Sequence, residues 1–275
     1  MLVYDSEKDD WSELQECLQK DSGLVVINDV VTAVGGNTSG QCTNRLISFN
    51  GSEWVKNFPP MPTKRVLHVV INTQNYLIAA GGIRMGGVTS TVEVMDMNTL
   101  EWYTAASLPE PVQDVSATVC GGRLYLLGGR DKFGNKATHA VFTCTLDSLI
   151  RSCHPPSQTP PHTSEASVWQ RVADVPVVKS TCTTLNGKVL AVGGKNSGDT
   201  PTAAIHMYVA KSDSWPLVGH MPTARYHCLV VALHNRIIAV GGFTQDGSCS
   251  TVEYGGEGDT TSKNFHILGM GTPSS

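Results

Sequence analysis

The residues of this sequence that could do chemistry are its nine histidines, its eight cysteines and five Gly-Gly doublets that each end an apolar run. His68 and His227 stand at similar places in two similar stretches, where a metal ion could be shared. A metal pair would need further ligands at the matching places of the other stretches, and residues 113–115 and 179–181 supply none. The sequence therefore predicts packed or channel-facing histidines and no metal site.

The eight cysteines are spread singly along the chain, without a Cys-x-x-Cys pair. The first ten residues carry charge where a signal peptide would be apolar, and no apolar run approaches the roughly eighteen residues that span a bilayer. Cysteines in such a chain are more typical of buried small residues and free thiols than of a disulfide framework or a zinc site. We expect a soluble, cytoplasmic protein.

The Gly-Gly doublets could cradle a phosphate only if a helix began directly after the glycines, and no helix is predicted there. Glycines at the end of a strand instead let neighbouring backbone and large rings approach closely. The sequence also lacks Gly-x-Ser-x-Gly and His-Glu-x-x-His motifs. It therefore predicts a structural role for the doublets, no catalytic residues and no cofactor.

The doublets recur at a nearly fixed distance, which determines how the rest of the chain is interpreted. Their first glycines lie 46, 47, 65 and 48 residues apart. A period of this size indicates a repeat architecture that runs almost the whole length of the chain as one domain. The doublets are Gly35-Gly36, Gly81-Gly82, Gly128-Gly129, Gly193-Gly194 and Gly241-Gly242.

The sequence pattern of each repeat predicts four short strands. The doublet ends the second strand of a hairpin, whose tight turn is clearest at Asn186-Gly187. A third strand then leads through a polar turn to a tryptophan, as Tyr208 leads to Trp215 seven residues later, and a proline marks the connection to the next unit. Such units are typical of β-propeller blades, with the tryptophans as anchors between blades. These are Trp11, Trp54, Trp102, Trp169 and Trp215.

Two regions depart from this pattern. Residues 145–167 are a Pro/Ser/Thr-rich insertion in the third full unit, expected to be a mobile excursion between its third and fourth strands. Residues 1–20 supply only the second half of a blade. The predicted propeller spans residues 1–268 with a tail at 269–275, and its whole blades cover about 23–58, 64–106, 113–172, 178–218 and 225–268.

The doublet, the spaced tryptophan and the Met-Pro or Leu-Pro before the next hairpin together resemble the kelch repeat. The resemblance covers about residues 1–268 and implies a propeller of the six-bladed type, here with five whole blades, a half blade and incomplete closure. The last unit fits least well, because Gly255-Gly256 loosens its turn and Phe265 replaces the tryptophan. The resemblance leaves two interpretations open: the chain is a fragment of a longer protein, or its ring contains one incomplete blade.

Some kelch proteins are enzymes or enzyme modifiers, and their motifs are incomplete here. Iron-dependent specifier proteins carry Glu-x-x-x-Asp-x-x-x-His, of which Glu110 and Asp114 are present while Thr118 replaces the histidine. The Tyr, Cys and His set of copper radical oxidases cannot be assembled. The resemblance thus implies a non-catalytic protein-interaction module, such as the substrate-recognition part of a cullin-RING ubiquitin ligase adaptor. An actin-binding protein and a sugar-processing enzyme are the alternatives.

The partner-binding surface is expected at one mouth of the central channel. In an up-and-down blade, the loops after strand two and after strand four emerge on the same face, so residues near the doublets and after the prolines share it. The chain carries a net charge of −4 and 16% charged residues, which predicts neither nucleic-acid nor membrane binding. This face nevertheless collects cations that suit an acidic or turn-forming peptide. The candidate partner-binding residues are Arg65, Arg84, Arg130, Lys195, Arg225 and Phe243.

Overall fold

The apolar runs that end in Gly-Gly doublets form the second strands of five four-stranded sheets in a computed structural model of the chain. The structure describes residues 2–5, 10–13, 16–17, 19–133, 136–154, 168–233, 235–256 and 264–266. The strands of each sheet follow one another in chain order, from an inner first strand to an outer fourth strand. This arrangement confirms the prediction of an all-β propeller built from four-stranded blades.

The five blades use chain segments in strict succession. Blade 1 comprises β3 (Gly23–Ile27), β4 (Val30–Thr38), β5 (Gln41–Phe49) and β6 (Trp54–Phe58). Blade 2 comprises β7 (Val69–Asn72), β8 (Tyr76–Ala80), β11 (Val92–Asp96) and β12 (Trp102–Ala105), with a small ribbon of β9 (Ile83–Arg84) and β10 (Gly87–Val88) in its second loop. Blade 3 comprises β13 (Ser116–Cys120), β14 (Arg123–Leu127), β15 (Val141–Thr145) and β16 (Gln170–Val172).

Blades 4 and 5 continue the succession. Blade 4 comprises β17 (Thr181–Leu185), β18 (Lys188–Val192), β19 (Ala204–Met207) and β20 (Leu217–His220). Blade 5 comprises β21 (Leu229–Leu233), β22 (Arg236–Val240), β25 (Val252–Gly256) and β26 (Asn264–His266), with a ribbon of β23 (Phe243–Thr244) and β24 (Gly247–Ser248).

The two ends of the chain differ from the other units. At the N-terminus, β1 (Leu2–Asp5) and β2 (Asp10–Glu13) form a separate two-stranded sheet where a half blade was predicted. In blade 5 the last strand β26 runs parallel to β25, so the expectation of four antiparallel strands is wrong there. The described residues contain five four-stranded blades, and a six-bladed ring is not seen among them. The predicted tail at 269–275 lies outside the described residues.

The apolar core is divided among the blade junctions. Four clusters of buried side chains occur in the described residues, and each lies between two consecutive blades. Leu46 and Leu77 represent the junction of blades 1 and 2, and Leu190 and Ile237 that of blades 4 and 5. Burial of this apolar surface holds the blades together, because each sheet has two faces to cover.

The doublets and the tryptophans fasten one blade to its neighbour. The first glycine of every doublet has a φ of 60–68° and the second a φ of 90–106°, conformations that favour glycine. The indole N–H of Trp169 in blade 3 donates to the carbonyl of Ala106 in the preceding connection at 2.9 Å, and that of Trp215 in blade 4 donates to Ala173 at 2.8 Å. The repeat residues therefore act at the junctions between blades.

The first residues of the insertion in blade 3 pack against the core, which corrects the expectation of a mobile excursion for those residues. They form helix α1 (Leu146–Arg151), capped by the Thr145 hydroxyl, and Leu149 is buried in the core. His154 then pairs through its backbone with Thr104 on the outer strand of blade 2, at 2.9 Å in both directions. The Pro-rich part at 155–167 lies outside the described residues. Among those described, no helix is long and apolar enough to cross a membrane.

Candidate functional site

One residue in each blade, just before the inner strand, has a left-handed backbone although it is not glycine. These residues, which we call the rim, have φ values between 51° and 57°. The amide of Asp114 donates to the carbonyl of Leu67 at 2.9 Å, and that of His227 donates to Lys179 at 3.2 Å, so hydrogen bonds between blades hold this strained conformation. The rim consists of Asp21, Leu67, Asp114, Lys179 and His227.

A cavity of about 310 Å³ lies among the inner strands and the rim. Asp114 and His227 line it together with residues of β7, β13, β17 and β21. Its polar lining comes from small side chains such as Ser116, Ser180 and Thr181. Asp114 and His227 thus lie at one mouth of the channel, on the face where the loops after the second and fourth strands of each blade emerge.

Asp114 and His227 come together from blades 3 and 5. The Nε2 atom of His227 lies 3.8 Å from Oδ2 of Asp114, and Nε of Arg130 lies 3.6 Å from the same oxygen. Burial lowers the pKa of His227 below its usual value, and Lys179, Arg130 and Lys195 lower it further, while Asp114 opposes them. A lowered pKa favours a neutral imidazole at pH 7 in this group.

Two lysines next to this pair are held against an aromatic ring. Nζ of Lys195 lies 4.7 Å from the ring centroid of Tyr226, and Nζ of Lys179 lies 5.4 Å from it. Tyr226 stacks on Phe243 with ring centroids 5.6 Å apart. Lys195 is also paired with Asp199 at 3.1 Å. We call Arg130, Lys179 and Lys195 the basic cluster; cation–π contacts orient its lysines over an aromatic pair.

Of the predicted partner-binding residues, the structure brings three into this neighbourhood. Lys195 and Phe243 meet at Tyr226, and Arg130 joins them through Asp114. Arg84 is exposed in the ribbon of blade 2, where Ile83, not Arg84, directly follows the doublet and bridges Val66.

Arg65 and Arg225 do not belong to the surface, which corrects the prediction that they contact a partner. Both side chains are 0% exposed. Arg65 pairs with Glu93 at 2.9 Å and donates to the carbonyl of Gly81 at 2.9 Å. Arg225 pairs with Glu253 at 2.6 Å. They are therefore interior residues that stabilise the junctions between blades.

The backbone of these arginines shows how they join two blades. The carbonyl of Arg65 accepts the amide of Gly36 in blade 1 at 2.8 Å, while its guanidinium binds blade 2. Arg225 connects blades 4 and 5 in the same way, since its carbonyl accepts the amide of Gly194 at 2.8 Å. Each arginine thus hydrogen-bonds one blade through its main chain and the next through its side chain.

Three exposed apolar side chains share the face of the basic cluster. Met85 is 96%, Phe133 70% and Phe243 45% exposed, and all three lie in or next to the loop after the second strand of a blade. Antiparallel strands alternate in direction, so these loops emerge on one side of every blade. The face therefore combines cations with apolar tips.

Of the remaining candidate groups, His68, Cys144 and Cys182 are buried. Burial lowers the pKa of His68 to about 3, with the charge of Arg65 acting in the same direction. The eight cysteines are free thiols, and burial raises the pKa of Cys144 and Cys182 to about 12. Thr118 shares a hydrogen bond with Thr184 at 2.9 Å. The described residues contain no group of His, Cys, Asp and Glu side chains that could hold a metal ion.

Sequence reasoning missed Asp114 and Tyr226 as members of the site, and it predicted His227 as a packed or channel-facing histidine without its contact to Asp114. These residues lie far apart in the chain and meet because blades 3, 4 and 5 are neighbours. The signal that could have located them is their position: Gln113-Asp114, Val178-Lys179 and Tyr226-His227 occupy equivalent places before the inner strand.

The known proteins that this chain resembles in sequence are kelch-repeat proteins. A family model described as "Kelch motif" matches residues 64–109. "Kelch repeat and BTB domain-containing protein 1" of Cowpox virus (strain Brighton Red) is 22% identical over 96% of this chain and 46% of its own length. "Kelch-like protein 40" of Xenopus laevis is 28% identical over 52% of this chain and 24% of its own length. The chain spans about half the length of the viral relatives that it matches.

A solved structure described as "Structure of YjhT" has a similar fold. The TM-score is 0.70 at 16% sequence identity, covering 91% of this chain and 86% of that one. At this identity the similarity concerns the fold alone.

Proposed function

We propose that this chain, a kelch-repeat β-propeller, is a non-catalytic module that binds another protein through the face carrying the basic cluster. The segment it recognises is acidic and includes an apolar side chain. Arg130, Lys179 and Lys195 suit carboxylates, and Phe243 and Phe133 suit the apolar side chain.

The observation that carries this proposal is the position of Lys179 and Lys195 over Tyr226. The two ammonium groups lie 5.4 and 4.7 Å from one ring, so they are held near each other before a partner arrives. Only Lys195 has a described carboxylate partner, Asp199, which is 79% exposed and easily displaced. Pre-positioned side chains lose less conformational entropy on binding.

We further propose that the propeller is the substrate-recognition part of a longer ubiquitin ligase adaptor of the cullin-RING type. In support, the names of the viral relatives include a BTB domain, and the chain spans about half their length. This step rests on analogy with kelch proteins, because a fold alone does not fix a function.

Reversing two charges tests the binding face. The probes are fluorescein-labelled peptides that contain phenylalanine and differ in their number of glutamates. Lys179→Glu combined with Lys195→Glu is expected to weaken the binding of these peptides. The loss should be at least about tenfold for the most acidic peptide, or about 1.4 kcal/mol, because attraction becomes repulsion. Fluorescence anisotropy at low and at high salt measures the affinity. The difference in affinity between the double variant and the original chain should shrink at high salt, because salt screens the charges.

Lys188→Glu is the matched control. Lys188 begins β18 in the same blade, next to a turn on the opposite face, and is exposed. Its reversal changes the net charge without changing the proposed site. If the double variant bound the acidic peptides as well as the original chain does, or if Lys188→Glu alone removed binding, the proposed site would be wrong.

A further inference from the structure

The side chain at the channel mouth whose charge changes closest to neutral pH is that of His227. It is 30% exposed and lines the cavity of about 310 Å³, so protons from solvent reach its imidazole. The thiols of Cys182 and Cys228 line the same cavity, and burial raises their pKa values to about 12 and about 11. Among the described groups that line the cavity, the imidazole is therefore the one that gains a positive charge between pH 8 and pH 5.

The charged groups that face His227 come from blades 3 and 4. The three cations of the basic cluster act on it from the loop after β14, the connection before β17 and the loop after β18, and they disfavour its protonation. Asp114, in the connection before β13, supplies the opposite charge, with Oδ2 lying 3.8 Å from Nε2. On the same connection as His227, the ring centroid of Tyr226 lies 5.4 Å from that of the imidazole. Burial and the cations together outweigh Asp114, so the imidazole is neutral at pH 7.

Arg130 and His227 share one oxygen of Asp114. Nε of Arg130 lies 3.6 Å from Oδ2, and Nε2 of His227 lies 3.8 Å from the same atom. Both separations exceed the length of a hydrogen bond, so the imidazole can approach the carboxylate more closely once it carries a proton. Protonation of His227 offsets the negative charge of Asp114, which otherwise weakens the attraction of the basic cluster for an anion.

A partner bound at the basic cluster lies close enough to sense the charge of His227. The ring of Tyr226 separates the two sites: its centroid is 5.4 Å from that of the imidazole and 4.7 Å from Nζ of Lys195. Across a single ring, where the effective dielectric constant is well below that of water, two charges interact appreciably. A carboxylate held by Lys195 therefore also stabilises a protonated His227.

We propose that protonation of His227 strengthens the binding of an acidic partner, so that the face of the basic cluster holds its partner more tightly at mildly acidic pH than at pH 8. This inference rests on the proposed binding function and adds its regulation. Asp114 is the positioning residue of the switch, because it attracts the imidazolium from across the channel mouth.

Binding of an anion raises the pKa of His227 above its lowered value in the free chain, because the imidazolium gains a second negative neighbour. Above both pKa values the imidazole is neutral and the affinity is constant. As the pH falls through the pKa of the complex, binding takes up one proton from solvent onto the imidazole, and the affinity rises. The glutamates of a peptide have an ordinary pKa of about 4.3, so they remain mostly charged at pH 5.5. The affinity therefore rises between pH 8 and pH 5.5.

Isothermal titration calorimetry with an unlabelled, glutamate-rich peptide that contains phenylalanine tests this proposal. At constant ionic strength the original chain should bind the peptide at least about threefold more tightly at pH 5.5 than at pH 8. Titrations at pH 6 in two buffers of different ionisation enthalpy should show that binding takes up protons. This measurement uses the chain without substitution, so it does not depend on the folding of a variant.

Two histidine variants make the result specific. His227→Asn, in which asparagine tolerates the left-handed backbone, should have a ratio of affinities near one between the two pH values and no proton uptake. His220→Asn, at an exposed histidine of β20, is the matched control and should keep both effects. Asp114→Asn should move the rise in affinity to lower pH, because the imidazolium loses its nearest negative charge.

The outcomes separate this inference from the proposed binding function. If the peptide binds but His227→Asn keeps the pH dependence and proton uptake of the original chain, the role of His227 is overturned and the binding face stands. The role is also overturned if the original chain binds equally well at both pH values. If the peptide binds at neither pH, the proposed binding function fails, and the switch fails with it.

Discussion

Arg65→Val is expected to lower the free energy of unfolding by about 3–5 kcal/mol, because it leaves the carboxylate of Glu93 buried without its cation. The two side chains are 0% and 4% exposed, and the 2.9 Å ion pair is supplemented by a hydrogen bond from Thr63 to Glu93 at 2.5 Å. The variant also removes the donor that binds the Gly81 carbonyl. Urea unfolding followed by tryptophan fluorescence measures the loss.

Blade 3 shows how the same junction is built without charge. The carbonyl of Val112 accepts the amide of Gly82, as that of Arg65 accepts Gly36, and Phe142 stands opposite Leu126 as Glu93 stands opposite Ala79. Arg65→Val combined with Glu93→Phe copies this pair, and an apolar pair of suitable volume often replaces a buried ion pair without loss.

The double variant should therefore be more stable than Arg65→Val by at least about 2 kcal/mol. Arg171→Ala, which removes an exposed ion pair with Asp174, is the control and should barely change the unfolding midpoint. A single variant as stable as the original chain would show that Glu93 is not held by Arg65.

Gly194→Ala is expected to destabilise the propeller by at least about 3 kcal/mol, the sum of a left-handed alanine and an overpacked contact. Gly194 has a φ of 106°, and an added Cβ would lie 2.5 Å from the carbonyl oxygen of Val178 and 3.1 Å from the amide nitrogen of Ser180. Both atoms belong to backbone that cannot rotate away. Thermal and urea unfolding both report the change.

Gly187→Ala separates the two causes of that loss. Gly187 has a φ of 69° in the turn between β17 and β18, but nothing lies within 4 Å of an added Cβ. Gly187→Ala should lower the free energy of unfolding by about 1–2 kcal/mol, because only the left-handed backbone of the alanine is unfavourable. Equal losses of stability for the two variants would mean that close approach of the blades is not the reason why the second residue of the doublet is glycine.

The repeat pattern predicted the strands because it is local. An apolar run, a glycine doublet and a tryptophan at fixed spacing each act within one blade or on its immediate neighbour, so Gly194 and Trp215 could be interpreted from their places in the chain. The parallel pairing of β26 with β25 escaped prediction, because Phe265 replaces the tryptophan that marks this strand elsewhere.

The site was harder to predict than the fold, because its residues come from different blades and meet around the propeller axis. An arginine after Met-Pro looks the same in sequence whether it points into a junction or into solvent. Arg65 is buried where Glu93 and the carbonyl of Gly81 in the next blade bind its guanidinium, and Val112 shows that the position does not require a charge. The contact between Asp114 and His227 joins blades 3 and 5, and no spacing along the chain encodes it.

The most direct measurement of the proposed binding face is a hydrogen–deuterium exchange footprint of the chain with and without the tightest-binding acidic peptide. Binding at the basic cluster predicts slower exchange in the loops after second strands and in the connections before inner strands of blades 3 to 5, including residues 129–133, 178–180 and 226–228. It predicts little change at the turns of the opposite face, such as 186–188 and 209–214. Protection confined to those opposite turns would contradict binding at the basic cluster.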